Sequence, residues 1–154
     1  MLIFTGDINL TDNAFDVGYG VGSAIGEGLN PFAKIEKYES DYWVGNFEGV
    51  ASDCSVLNTY KRDCFRISPK VLNVAKFIDI YGIANNHVME HGENAYIEMI
   101  DNLKSRSHIF GNIENKSIVV EQEGKKVGIV GFSMRNDGLP YNPLYWYSPE
   151  CFEI

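Results

Sequence analysis

The chain is poor in histidine, cysteine and positive charge. Among 154 residues there are 3 His and 3 Cys, and 13 Lys and Arg stand against 21 Asp and Glu, for a formal net charge of −8. Cys54, Cys64 and Cys151 are odd in number and form no C-x-x-C pair, which argues against a disulfide framework or a thiolate zinc knuckle. Free thiols in a reducing compartment are expected, with a Cys54–Cys64 clip as the alternative for an exported chain. The acidic balance excludes the basic footprint that nonspecific DNA or RNA binding requires. No N-terminal basic segment leads into an apolar stretch, so no signal peptide is visible, and the chain reads on that ground as cytoplasmic. No apolar run reaches the ~18 residues of a membrane span. The glycines Gly18, Gly20, Gly22, Gly26 and Gly28 nowhere fit G-x-G-x-x-G. That excludes a dinucleotide fingerprint, and "GYGVGSAIGEG" reads as a flexible loop.

What is present is an ordinary globular composition, 45% hydrophobic, in a length that suits one domain with a real core. Apolar residues 2–4 break at Gly6-Asp7, a short buried strand running into a loop. Asn30 and Pro31 carry the cap and first-turn signals of a helix. A strand around Tyr42–Val44 breaks into Gly45-Asn46-Phe47-Glu48-Gly49, and residues 51–66 read as a loop. Ser68-Pro69 starts a second helix, with Val71, Val74, Ala75 and Ile78 at helical spacing. "IDIYGI" is the next strand. After Gly92, Tyr96, Met99, Ile100 and Leu103 form one apolar helical face. "HIFGN" is a very short strand, and two further strands meet at Glu123-Gly124 as a hairpin. The order predicts an α/β fold with a mostly parallel sheet and a C-terminal β-hairpin.

Three polar clusters occupy equivalent places. Asp7 and Asn9 follow the first strand, Asn46 and Glu48 the second, and Asn85, Asn86 and His87 the third, with Glu90 and His91 close behind. Ligands of open parallel sheets bind beyond the carboxyl ends of the strands, so three adjacent ends would aim these side chains at one pocket. Carboxylates, amide oxygens and imidazole suit a divalent cation such as Mn, Fe, Zn or Mg. Two such metals can clamp a phosphate and activate water, with a histidine beside them to serve the leaving oxygen. Each residue also has a plainer reading. Asp7 suits a turn cap, Asn46 and Asn85-Asn86 suit turns that accept positive φ, and His87 suits the edge of a core. Glu90 and His91 suit an exposed helix start, and His108 a structural or exposed position. The coincidence of three clusters at three strand ends favours the site.

The stretches "FTGDINL", "DYWVGNFEG", "FRISPKVLNVAKFIDIYGIANNHVMEHG", "DNL", "IFGN" and "KKVGIVGFS" resemble, in order and over nearly the whole chain, the bacterial capsule-synthesis CapA family. That family is associated with poly-γ-glutamate and is similar in turn to the calcineurin-like metallophosphoesterases. The resemblance implies a metallophosphoesterase-like α/β sandwich. Asp7, Glu48 and Asn86 then stand where metal ligands are expected, and His87 where a phosphate-contacting histidine is expected. Asn9 and Asn46 become ligand or supporting positions, and Asn85 shapes the turn. Three departures stand out. Glu90 replaces the Asp usual three residues after that histidine, and His91 is unusual at its place. The family's later motifs, one like His-Trp-Gly and one like Gly-x-His-x-His, do not occur, and no histidine follows His108. The expectation is an incomplete domain over 1–154, corresponding to the N-terminal half. Its partner would be a completing chain, a second copy or the polymer-synthesis machinery, and by resemblance its place would be the cell envelope. A noncatalytic assembly module, docking through the aromatic tail "YNPLYWYSPECFEI", is the alternative.

Overall fold

The computed structural model describes residues 1–55 and 62–135, together with Pro149. Its centre is a four-stranded, all-parallel sheet in the order β1 (Leu2–Ile8), β2 (Tyr42–Phe47), β5 (Ile80–Gly82) and β6 (His108–Phe110). Two smaller pairs flank it. β3 (Val50–Ala51) runs parallel to β4 (Arg66–Ile67), and β7 (Ser117–Gln122) runs antiparallel to β8 (Lys125–Val130). The mixed α/β architecture and the C-terminal hairpin agree with the sequence reading.

The central strand β5 is a short apolar run because it is covered on both faces. Successive side chains alternate between two cores, as the pleat requires. Phe47, Tyr81 and Ile109 join the larger core, with Leu72, Met99 and Leu103 behind them. Val44, Ile80 and Phe110 join the smaller one, where Ile118, Val120 and Ile129 of the hairpin cover them. Glu123 and Gly124 both take positive φ, at 52° and 72°. That is the turn geometry which matches the twist of a two-residue hairpin.

The helix α2 (Gly92–Lys104) buries Tyr96, Met99, Ile100 and Leu103, the predicted stripe, together with Ala95. Its Glu98 fixes the chain that leaves β3. The carboxylate accepts hydrogen bonds from Ser52 Oγ at 2.5 Å and from the backbone N–H groups of Asp53 and Cys54, each at 3.2 Å. The Ser52 hydrogen bond, against the opposing effect of burial, holds this carboxyl below its ordinary range. Its contribution is therefore present above the unfolded carboxylate pKa and lost as pH falls through the depressed folded value. Glu98→Gln should cost about 1 kcal/mol at neutral pH. In urea melts, the gap from the unaltered chain should close at acid pH.

The structure corrects three expectations. Residues 31–34 form a turn and 35–38 no regular element, so no helix follows Asn30. The Asn30 side chain accepts the Phe32 N–H at 2.9 Å, but among residues 31–38 only Phe32 is even partly buried, so no apolar face rewards helix formation. The glycine-rich stretch is not only a loop, because it holds α1 (Val21–Gly26). Asp12 organises it by accepting Gly18 N–H at 2.7 Å, Ser23 N–H at 2.8 Å and Ser23 Oγ–H at 2.5 Å. A Cβ on Gly20 would come within 2.7 Å of the Asp12 backbone. Third, the span 51–66 is not loop throughout, since β3 and β4 pair at its two ends. The helix after Ser68 exists, as a 3₁₀ helix over Pro69–Ala75. Cys54 and Cys64 are free. Cys151 and the aromatic tail lie outside the described residues.

Candidate functional site

Parallel register puts the three polar strand ends side by side. Asp7 pairs with Asn46, and Asn46 with Gly82. The alignment depends on an irregularity in β1, where Phe4 to Asp7 spans one residue more than the opposing Val44 to Asn46. The extra residue bulges at Gly6, whose φ is +75°, a conformation that glycine adopts at little cost. The opposing Gly45 leaves the room, since a Cβ there would meet Ile8 at 2.7 Å and Thr5 Oγ1 at 2.8 Å.

One amide links the two acids. Asn46 Nδ2 donates to Asp7 Oδ1 at 2.9 Å and to Glu48 Oε2 at 2.7 Å. Its own carbonyl accepts from Asn85 Nδ2 at 3.3 Å. Buried Asn85 also donates to the Phe47 carbonyl at 2.7 Å, and its side-chain oxygen accepts the His87 N–H at 3.0 Å. Asn85 thus ties the end of β2 to the turn that carries His87. Burial raises the Glu48 carboxyl above its ordinary range, and Asp7 adds to the rise against the opposing effects of Asn46 and His87.

His87 is held at both ring nitrogens. Nδ1 lies 3.0 Å from Glu90 Oε1 and Nε2 lies 3.1 Å from Asn86 Nδ2. A carboxylate only accepts and an amide nitrogen only donates, so the neutral ring carries its proton at Nδ1 and offers the Nε2 lone pair to Asn86. Glu48 Oε1 stands 3.4 Å from Nε2. Glu90 therefore orients the imidazole.

Two candidates are turned to other duties. Asn9 accepts from Thr11 N–H at 2.9 Å and Thr11 Oγ1 at 2.8 Å, and donates to Asn13 Oδ1 at 2.6 Å, which shapes the loop after β1. His91 is not a surface residue. It is fully buried, and its Nε2 lies 2.8 Å from the Cys64 carbonyl. Among the charged neighbours, Asp7 is exposed, while Glu48 and His87 each keep 18% of their side-chain surface.

Sequence reasoning missed Phe65. Its ring stacks on that of His87, with centroids 3.7 Å apart and planes 20° from parallel. A cavity of about 420 Å³ borders Asp7 and Asn46 and has apolar walls that include Phe4, Phe110 and Phe132.

Among the described residues, no group of three or more His, Cys, Asp or Glu side chains is arranged to hold a metal ion. The set assembled instead is mixed: two carboxylates, the amide of Asn86 and one imidazole, with Asn46 turning its N–H group to the carboxylates. These are hard oxygen and nitrogen donors of the kind that suit one divalent cation. The chemistry of the set fits such an ion.

The family described as bacterial capsule synthesis protein PGA_cap matches residues 1–146. No curated protein matches the chain.

Proposed function

The chain belongs to the bacterial capsule synthesis protein family PGA_cap, and from that premise we propose that it serves poly-γ-glutamate capsule synthesis at the cell envelope through a cation-dependent phosphoesterase site. What supports this reading is one observation. Asp7, Glu48, Asn85 and His87 come from three separate segments and are linked through Asn46 into one hydrogen-bonded cluster at the strand ends.

In this reading Asp7, Glu48 and Asn86 would hold a divalent cation, Mn, Fe, Zn or Mg. Such an ion supplies Lewis-acid charge to a phosphoryl oxygen and to water when bound. Asn46 keeps the two acids aligned through its shared amide. His87 presents Nε2 towards Asn86 and Glu48, where a protonated ring can hand its proton to a departing alkoxide. Glu90 accepts from the Nδ1–H group throughout, so the proton that leaves comes from Nε2. The apolar cavity beside Asp7 has room for the organic part of an ester.

Calorimetric titration with Mn(II), combined with an aryl phosphate assay, tests the reading. Binding with Mn-dependent hydrolysis supports it; absence of both rejects it. The second reading, a noncatalytic assembly module, draws on exposed apolar side chains beside the cluster. Phe4 is 60% exposed and Phe132 38%. Self-association by light scattering, lost on removing residues 141–154, would favour that module. No helix among the described residues is long and apolar enough to cross a membrane.

Glu48→Gln separates the two readings further. The folded-state pKa of Glu48 is raised, so its ionised form opposes folding of the cation-free chain once pH exceeds the unfolded carboxylate value. The variant should melt higher than the unaltered chain at neutral pH without added cation. With Mn(II), the order should reverse, because the unaltered chain gains the stabilisation of a bound ligand. Identical melting behaviour with and without Mn(II) would count against a cation site.

A further inference from the structure

We propose that Phe65 is the positioning residue of His87, a half-buried ring held in a strained backbone conformation so that its face fixes the plane of the imidazole. The inference rests on the reading that His87 serves the leaving oxygen. Phe65 has φ of +50°, a region that bulky residues other than glycine rarely enter. Such strain persists only where the surroundings over-determine it.

Here they do. The Phe65 N–H donates to the Asn13 carbonyl at 3.3 Å, and its own carbonyl accepts the Val50 N–H at 2.7 Å. Gly49, at φ +136°, lies against that carbonyl, and a Cβ there would come within 3.0 Å of the Phe65 oxygen. The next residue, Arg66, anchors the strand by donating from Nη1 to the carbonyls of Ser52 at 2.9 Å and Cys54 at 2.6 Å. The pairing of β3 with β4 therefore begins at Phe65 and dictates its backbone. An extended backbone there would take the side chain elsewhere.

The geometry has a use that core packing does not explain. Phe65 is only partly buried, so strain is not offset by full removal of its ring from water. Its stacked partner is an imidazole already held at both nitrogens in the ring plane by Glu90 and Asn86. The torsion about Cβ–Cγ is the ring's remaining freedom, and turning it would swing both nitrogens away from those partners. A flat face at 3.7 Å blocks that turn. Edge contacts and face contact together leave one orientation, which is what a proton carrier requires.

The test compares Phe65→Leu with Phe65→Tyr. Leucine keeps apolar bulk and removes the aromatic face, while tyrosine keeps the face. Two-dimensional NMR of the His87 ring should show carbon-bound protons shifted upfield by the neighbouring ring current in the unaltered chain and in Phe65→Tyr. In Phe65→Leu that shift should vanish, and the ring nitrogens should report a mixture of the two neutral tautomers. Thermal melts identify any variant that has not folded. In the aryl phosphate assay, Phe65→Leu should lower kcat about tenfold with KM little changed, as expected for a misaimed group, and Phe65→Tyr should recover most of the loss. A folded Phe65→Leu chain whose His87 keeps its single tautomer overturns the proposal. If the unaltered chain hydrolyses nothing, the phosphoesterase reading fails, and the NMR comparison still decides whether Phe65 sets the ring.

Discussion

His87→Asn should lower the rate of aryl phosphate hydrolysis by roughly 10²–10⁴-fold, the range for removing a positioned acid or base. Asparagine keeps polarity and a hydrogen-bonding amide, but it cannot carry a proton to an alkoxide. The effect should fall on kcat, because the proposed cation ligands Asp7, Glu48 and Asn86 all remain. The Mn(II) affinity measured by calorimetry should change little. Stability should fall by about 1 kcal/mol, since the Glu90 hydrogen bond and the stack on Phe65 are lost. A variant that hydrolyses at the unaltered rate would remove His87 from the chemistry. A variant that loses Mn(II) binding would instead make it a ligand.

Phe47→Ala should be among the most destabilising single changes in the chain. Phe47 has no exposed surface, and its ring meets that of Tyr81 edge to face at 5.6 Å. Deleting such a ring from a packed core costs about 3–5 kcal/mol. For a domain of this size that lowers Tm by on the order of 10 °C. The damage should reach the polar cluster as well. The Phe47 carbonyl holds Asn85, which in turn holds the His87 backbone. Folded Phe47→Ala at low temperature should therefore bind Mn(II) more weakly, although no proposed ligand has been altered. Phe47→Leu, which retains much of the volume, should lose less on both counts. An alanine variant as stable as the unaltered chain would mean that the larger core around Phe47 is less tightly packed than its burial indicates.

Local signals explain why much of this was legible in the sequence. The α2 stripe at Tyr96, Met99, Ile100 and Leu103 is a pattern of spacing, and spacing survives folding. The turn at Glu123-Gly124 and the breaks after β1, β2 and β5 are likewise set by residues within a few positions. The gathering of Asp7, Asn46, Glu48 and Asn85-Asn86-His87 could be expected because parallel sheets put like ends together. Harder features depend on partners distant in the chain. Asp12 builds α1 from eleven residues away through Ser23, so the glycines looked like loop alone. Asn30-Pro31 carries a helix start, but the residues that follow bury too little to extend one. His91 looks like a surface residue until the Cys64 carbonyl is seen against its ring. Phe65 offered no signal, because nothing in a string of letters announces that an aromatic residue will take a left-handed backbone.

The bulge in β1 gives the first strand a parity. Because consecutive side chains alternate sides, the single surplus residue between Phe4 and Asp7 decides which side receives the carboxylate. Chains that gain or lose one residue at Gly6 could keep all four strands yet turn the acid away from Asn46. Length at this point is therefore as much a part of the site as identity, and a comparison between relatives that tolerates gaps in this strand would misjudge which of them retain it.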